Sequence, residues 1–358
     1  MTNPLVSVVM GVFNCERFLR EALESILNQS FHDFEFVVVD DGSSDGSASI
    51  LDSYEGRDAR LRICHRQHAG LAESLNYGCS IALGKYIARM DADDIAVRDR
   101  LMWQVDYMET HPQVGVLGGA VEYIDSSGRS LGNHSYPADD RELKAALAFG
   151  CPLWHPTVLF RREILASTGG YRAVVVDAED YDLWLRVADQ FDLANLERVL
   201  LKYRIHPHQV SVRKSAQQVL GILAAQLSAN ARKHGNPDPL DSIGKITPES
   251  LAESGVPLAQ QRNRLASYRM VWIRRMCAAG ELSAAVDEAV DVLRSDLEHV
   301  DPRLVSDLRV LLAGLYWKQD KYILGLRSGA RAIVARPIIL ARPFRPVLQR
   351  IGLIGRGR

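Results

Sequence analysis

The sequence predicts an α/β protein, with a mostly parallel central sheet flanked by helices and an all-helical carboxy-terminal region. Three observations carry that reading. Over residues 1–100 short apolar runs alternate with segments of helical period, the mark of βαβ units. The apolar runs are unbroken, as parallel strands buried on both faces require. After Gln209 the strand signal disappears and helical periodicity alone remains.

Residues 5–12 form the first apolar run and read as a buried strand. Residues 16–28 follow as a helix, with Phe18, Leu19, Ala22, Leu23, Ile26 and Leu27 on one side. A second strand at 34–39 runs into Asp40-Asp41-Gly42-Ser43-Ser44-Asp45, residues that favour turns and helix caps. A helix at 46–54, a strand at 61–65, a helix at 71–83 and a strand at 85–90 continue the alternation, and the last strand ends at Asp91. Ligands of parallel sheets bind beyond the carboxyl ends of the strands. Phe13, Asp40 and the run Asp91-Ala92-Asp93 should therefore converge on one edge. Residues 103–204 are mixed, with a helix, strands near 114–117 and 157–160, and a helix at 181–190. They read as the second half of the same domain, giving a first domain of 1–212.

A helical appendage is expected over 213–335, with helices at 215–234, 260–279, 281–295, 303–317 and 321–335. Residues 235–259, rich in Pro, Asp, Ser and Gly, read as a linker. Segments 275–294 and 315–334 are loosely alike at an offset of about forty, which fits a helical repeat. Residues 336–358 form a basic, apolar-studded tail. From Arg327 to the end there are eight arginines and no acidic residue. Such a tail either contacts the cytoplasmic face of an anionic inner membrane peripherally, or is a solvated tail or a packed helix. Pro337, Pro343 and Pro346 argue against one long helix.

Composition narrows the function classes. With 47% hydrophobic and 24% charged residues, the chain is of soluble globular type. A net charge of −1 gives no ground for nucleic-acid binding. The five cysteines are scattered without a Cys-x-x-Cys pair, which argues against a zinc site or a disulfide framework and fits a cytoplasmic protein. No basic segment followed by an apolar core opens the chain, so no secretory leader is expected. No apolar run reaches the roughly 18–20 residues of a spanning helix.

Carboxylates carry the chemistry. Asp91, Asp93 and Asp94 crowd the exit of a strand, where they repel one another unless a cation neutralises them. Hard oxygen ligands suit Mg²⁺ or Mn²⁺; an acidic loop capping the next helix is the plainer reading. Asp40, after Val37-Val38-Val39, has the chemistry to accept the N3–H of a uracil or thymine, and equally to cap a turn. Phe13 suits packing on a nucleobase or in the core. Gly70 and Asn76 lie in a segment that opens a helix, where backbone N–H groups can approach a phosphate. Five residues rather than four separate Gly78 from Gly84, and Tyr86 follows Lys85, so a P-loop is rejected. Asp177, Glu179, Asp180 and Asp182 place four carboxylates within six residues, more than capping of the helix dipole needs. A base of raised pKa among them is expected. His206 and His208 form a weak metal pair.

Together these segments resemble the family 2 glycosyltransferases of the GT-A fold over residues 5–212. The resemblance rests on the runs 7–14, 37–45, Gly70 to Asn76, 91–94, 155–161, 179–184 and Tyr203 to His206. Gly11 stands where many members carry proline, and Phe13 where they often carry tyrosine. The helices after 213 have no counterpart in the resemblance. It implies an inverting enzyme that moves a sugar from a UDP- or dTDP-sugar to a hydroxyl of a glycan or lipid-linked acceptor in cell-surface polysaccharide synthesis. By the same resemblance Asp93, with His206, would hold Mg²⁺ or Mn²⁺, and Asp91 would sit near the ribose. Phe13 and Asp40 would hold the base, with Gly70 and Asn76 on the nucleotide side. Asp180 would be the general base and Glu179 its partner, with Trp154, His155 and Trp184 on the acceptor side. Nothing in the sequence fixes the oligomeric state. A nucleotidyltransferase would need a Gly-rich loop with a basic residue at the amino terminus, which 11–16 lacks. A receiver domain would need an aspartate where Cys64 and His65 stand. A degenerate transferase acting as a nucleotide- or metal-binding interaction module is the alternative, although Asp91, Asp93 and Asp180 are all present.

Overall fold

The computed structural model describes residues 3–335. The expected tail contact of 336–358 lies outside the described residues. The chain divides into two compact units, Met1–Ile205 with Leu220–Gly255, and His206–Val219 with the chain from Val256 onward. This differs from the sequence reading, which placed a boundary at 212 and a linker at 235–259. Residues 235–255 belong to the first unit. Their Pro, Asp and Ser residues serve as caps: Asp238 begins the 3₁₀ turn Pro239–Asp241, and Thr247 and Ser250 close a capping box on the helix Pro248–Glu253. Asp238 also pairs with Arg172 at 2.8 Å, which ties the segment to the sheet domain.

The first unit is built on one nine-stranded sheet. Its strands are β1 (Val6–Val12), β2 (Phe34–Asp40), β3 (Leu61–His65), β4 (Tyr86–Met90), β5 (Ile95–Ala96), β6 (Val114–Ile124), β7 (Ser130–His134), β8 (Leu159–Arg161) and β9 (Asp192–Arg204). The order is β3-β2-β1-β4-β8-β6-β9-β5, with β7 paired to β6. β3, β2, β1 and β4 are mutually parallel, as are β6 and β9; β8 runs antiparallel between the two groups. β1 is buried on both faces. Val8, Met10 and Val12 pack with Leu19, Leu23 and Ile26 of the helix Leu19–Leu27, while Val9 packs on the opposite side with Leu75 and Cys79 of the helix Leu71–Ile81. That helix lies close on the sheet at Gly78, where a Cβ would stand 2.6 Å from Val9 Cγ1.

Register decides where the site falls. Val12 pairs with Asp40, Asp40 with His65, and Met10 with Met90. The carboxyl ends of β1, β2 and β4 therefore share one rim, as the alternation predicted.

The second unit is helical among the described residues. Leu258–Ala279, Leu282–Arg294, Pro302–Lys318 and Tyr322–Ala335 follow one another, within a few residues of the expected bounds. Ile273, Met276, Ala285, Ala289, Leu308 and Leu312 are buried. Gly280 ends the first of these helices in the left-handed conformation, at φ 82°. No helix of the described residues is long and apolar enough to cross a membrane.

Candidate active site

The rim is assembled from strand exits. At the end of β1, Phe13 is 44% exposed and stacks on His68, with ring centroids 4.3 Å apart. At the end of β2, Asp40 and Asp41 are both buried. Asp40 accepts the N–H of Ser43 at 3.1 Å and bonds His65 Nδ1 at 2.9 Å; that bond raises the His65 pKa. Asp41 accepts the backbone N–H groups of Ala69 and Gly70, each at 2.9 Å, and pairs with His68 Nδ1 at 2.8 Å. Gly70 takes φ 97°, a conformation that favours glycine. Asp41 thus shapes the 68–70 turn, which carries the histidine that stacks on Phe13.

At the end of β4, one carboxylate oxygen from each of Asp91, Asp93 and Asp94 lies within 4.8 Å of the others. Arg89, buried within β4, is ion-paired with Asp91. Asp94 is buried; its Oδ1 accepts the Arg204 N–H at 2.8 Å, while Oδ2 has no hydrogen-bond partner among the described residues. Burial, followed by the charges of Asp93 and Asp91, raises the Asp94 pKa well above the usual carboxylate range. An oxygen-only donor set with an orphaned buried oxygen suits a hard divalent cation.

The second acidic group begins the helix Glu179–Val187. Asp180 accepts the N–H of Tyr181 at 2.7 Å, and its other oxygen lies 3.9 Å from His155 Nδ1. His155 Nε2 in turn lies 3.0 Å from the Tyr171 hydroxyl. Burial pushes Asp180 up to about 6, and burial with the charge of Asp180 raises Glu179. Burial, then the charge of Arg89, holds His155 well below its ordinary value. The charges of Arg89 and Asp91 both act on Asp180, while Cys15, just beyond β1, feels Asp93 and Asp91. The exits of β1 and β4 and the start of the Glu179–Val187 helix therefore form one electrostatic neighbourhood.

Residues 7–168 match the sequence model described as Glycosyl transferase family 2. EpsE of Bacillus subtilis is 38% identical over 208 residues, spanning 57% of this chain and 74% of EpsE. The chain belongs to glycosyl transferase family 2. The O-antigen biosynthesis glycosyltransferase WbnJ of Escherichia coli is 32% identical over 216 residues, covering 59% of this chain and 83% of WbnJ. Among solved structures, residues 1–349 of TarS from S. aureus in complex with UDP-GlcNAc align with a TM-score of 0.53 at 18% identity, over 91% of this chain and 90% of that one. The mannosyltransferase PcManGT from Pyrobaculum calidifontis, in complex with GDP-Man and Mn²⁺, aligns at 0.51 and 20% identity, over 92% and 88%. At these identities the structural likeness establishes the fold, a GT-A arrangement followed by helices.

In this family 2 glycosyltransferase some of the expected residues are buried or engaged by neighbouring groups. Trp184 is wholly buried beside Phe160 and His155, so its ring gives a sugar no access. Trp154 is 9% exposed and sits among Tyr123, Tyr136 and Tyr203, with ring centroids 5.2–5.7 Å away. Asn76 uses both ends of its amide on the Tyr171 backbone, donating to the carbonyl at 2.8 Å and accepting the N–H at 2.9 Å. His206 is buried and opens the second unit, where its N–H donates to Gln209 Oε1 at 3.0 Å. Three residues were missed by sequence reasoning: Arg89, Tyr171 and Arg204, the last donating to the Asp93 carbonyl at 2.9 Å. For Arg89 a signal existed, since an arginine inside an apolar strand must find a buried partner.

Proposed function

We propose that this chain transfers a sugar from a nucleotide diphosphate sugar, UDP- or dTDP-linked, to a hydroxyl of a glycan or lipid-linked acceptor, inverting the anomeric centre. The observation that supports the reading is the electrostatic proximity of the Asp91, Asp93 and Asp94 cluster to the half-buried carboxylate of Asp180. The names of the relatives support a place in cell-surface polysaccharide synthesis: WbnJ is an O-antigen and AmsE of Erwinia amylovora an amylovoran biosynthesis glycosyltransferase. The two structural neighbours were solved with UDP-GlcNAc and with GDP-Man, which supports a nucleotide-sugar donor and makes the base a matter for experiment.

In the proposed reaction the acceptor oxygen attacks the anomeric carbon as the bond to the diphosphate breaks, and the leaving diphosphate takes the electron pair. The acceptor proton passes to Asp180, a base role contributing roughly 10²–10⁴-fold. Glu179 sits beside the base to position it. Phe13 and Asp40 hold the nucleobase, Asp91 the ribose, and the Gly70 turn approaches the diphosphate. His155, whose Nδ1 lies 3.9 Å from Asp180, is on the acceptor side. Asp93, with Asp91 and Asp94 beside it, would hold Mg²⁺ or Mn²⁺, and the bound ion would supply positive charge to the departing diphosphate. Peripheral contact with the cytoplasmic face of the membrane through residues 336–358 is part of the same proposal.

The test incubates the full chain with a panel of UDP-, dTDP- and GDP-sugars and Mn²⁺, and measures release of the nucleoside diphosphate. Release with one donor, abolished by Asp180→Asn, is the expected result. A donor-induced thermal shift with no release would favour the nucleotide-binding interaction-module alternative, and neither shift nor release across the panel would overturn the donor assignment.

A further inference from the structure

We propose that the outward face of the helix Tyr322–Ala335 docks on an anionic lipid bilayer. This helix turns Gly325, Ser328 and Ala332 inward, where they are buried. On its other side Ile323, Leu326 and Val334 are 70%, 62% and 83% exposed. Their spacing of three and eight residues places them along one stripe of an α-helix. Single exposed apolar residues are ordinary on a surface, but an aligned stripe of this kind marks a contact.

Two further features identify the occupant. Trp317 and Tyr322, edge to face with centroids 4.9 Å apart, are each about half exposed at the start of the stripe. Aromatic rings with a polar edge settle at the boundary between headgroups and acyl chains. Arg327 and Arg331 flank the stripe one turn apart, both exposed, and no acidic residue occurs from Lys321 to the end of the chain. An apolar stripe edged by arginines suits a surface that is apolar within and negative at its rim. The same charges disfavour other occupants. Residues 336–358 carry six arginines and no Asp or Glu, so that segment would meet Arg327 and Arg331 with charge of the same sign. A two-fold pairing of this face would likewise bring its arginines toward their own copies.

This inference deepens the membrane contact proposed above, but it rests on a helix of the described residues and is independent of the transfer reaction. The test is co-sedimentation of the full chain with vesicles of phosphatidylglycerol and phosphatidylcholine, and with phosphatidylcholine alone. The wild-type chain should bind the anionic vesicles and release as salt rises. The triple substitution Ile323→Ser, Leu326→Ser and Val334→Ser should weaken that binding about tenfold or more, with an unchanged melting temperature because all three side chains are exposed. Should it melt early, the charge reversal Arg327→Glu with Arg331→Glu provides the same readout. A companion variant, Arg342→Ser with Arg345→Ser and Arg350→Ser, separates the tail from the helix. Wild-type binding by the helix variants, with loss confined to the tail variant, would overturn the inference and leave the tail contact standing. Absence of vesicle binding by the wild type would overturn both. A dimer by light scattering that dissociates in the triple variant, with no vesicle binding, would assign the face to a second copy instead. Nucleoside diphosphate release in solution is read in parallel, so failure here stays distinct from failure of the enzymatic proposal.

Discussion

Asp180 is a carboxylate whose surroundings favour its protonated form, the condition for a base that works near neutral pH. Its pKa of about 6 places the ionised, active form on the alkaline side. Turnover should therefore fall as pH drops through about 6, roughly tenfold per unit below it. A flat profile of kcat/KM across that range would reject the base assignment. Asp180→Asn should lower turnover by at least about a hundredfold while leaving donor affinity near normal, measured by calorimetry. Glu179 is different in kind. Burial and the neighbouring Asp180 keep it protonated at neutral pH, so a neutral amide is a fair substitute. Glu179→Gln should keep turnover within a few-fold and Glu179→Ala should lose more. Equal losses would show that its charge, rather than its hydrogen bonding, is what matters.

Around Asp180 the elements are joined by buried polar contacts. Asn76 on the helix Leu71–Ile81 clamps Tyr171, the Tyr171 hydroxyl meets His155, and His155 faces Asp180. Asp182, one residue pair further along the Glu179–Val187 helix, is fully buried between Arg172 and Arg186. Arg186 also donates to the Gly170 carbonyl at 2.7 Å, which fixes the helix against the 168–172 segment. Asp182→Ala would leave two guanidinium groups without their shared carboxylate and should cost about 3–5 kcal/mol in chemical denaturation. A loss below about 1 kcal/mol would mean that this pairing is solvated in solution. These contacts explain what the sequence could and could not disclose. β1, β2 and β4 were legible because burial on both faces leaves an unbroken apolar run, and their exits followed from parallel topology. β9 was missed because Asn195, Glu197, Arg198 and Lys202 interrupt its apolar pattern, and β5 is only two residues long. The role expected of Trp184 failed because an aromatic near a carboxylate motif looks the same in sequence whether it faces the cleft or the core. Asp238 was read within a linker since a capping aspartate and a flexible one share the same composition.

Across the whole molecule ionisable groups with shifted pKa values couple stability to pH. Glu179, Asp180 and His65 all have folded pKa values above their ordinary ones. The folded state therefore binds protons more tightly than the unfolded chain, and the stability these groups contribute is fully present below their unfolded values. For the two carboxylates it is lost as pH rises from about 4 through about 6 and about 8. His155, held neutral by burial, opposes this trend only below about 6.5, where the unfolded chain would take up its proton. The melting temperature of the metal-free protein should accordingly decline between about pH 6.5 and 8. A divalent cation bound as proposed should act in the opposite sense, because it would favour the folded cluster over the dispersed carboxylates of the unfolded chain. At a hundredfold excess over its Kd, Mn²⁺ should add about 2.7 kcal/mol of stability. That gain should shrink in acid, where protons compete for the same oxygens. Asp93→Ala should abolish it, since it removes one of the three clustered carboxylates while Arg89 holds Asp91 in an ion pair. Thermal melts with and without Mn²⁺, at mildly acidic and mildly alkaline pH, check each part. A Mn²⁺ shift that persists in Asp93→Ala, or is equal at both pH values, would remove the metal from this rim.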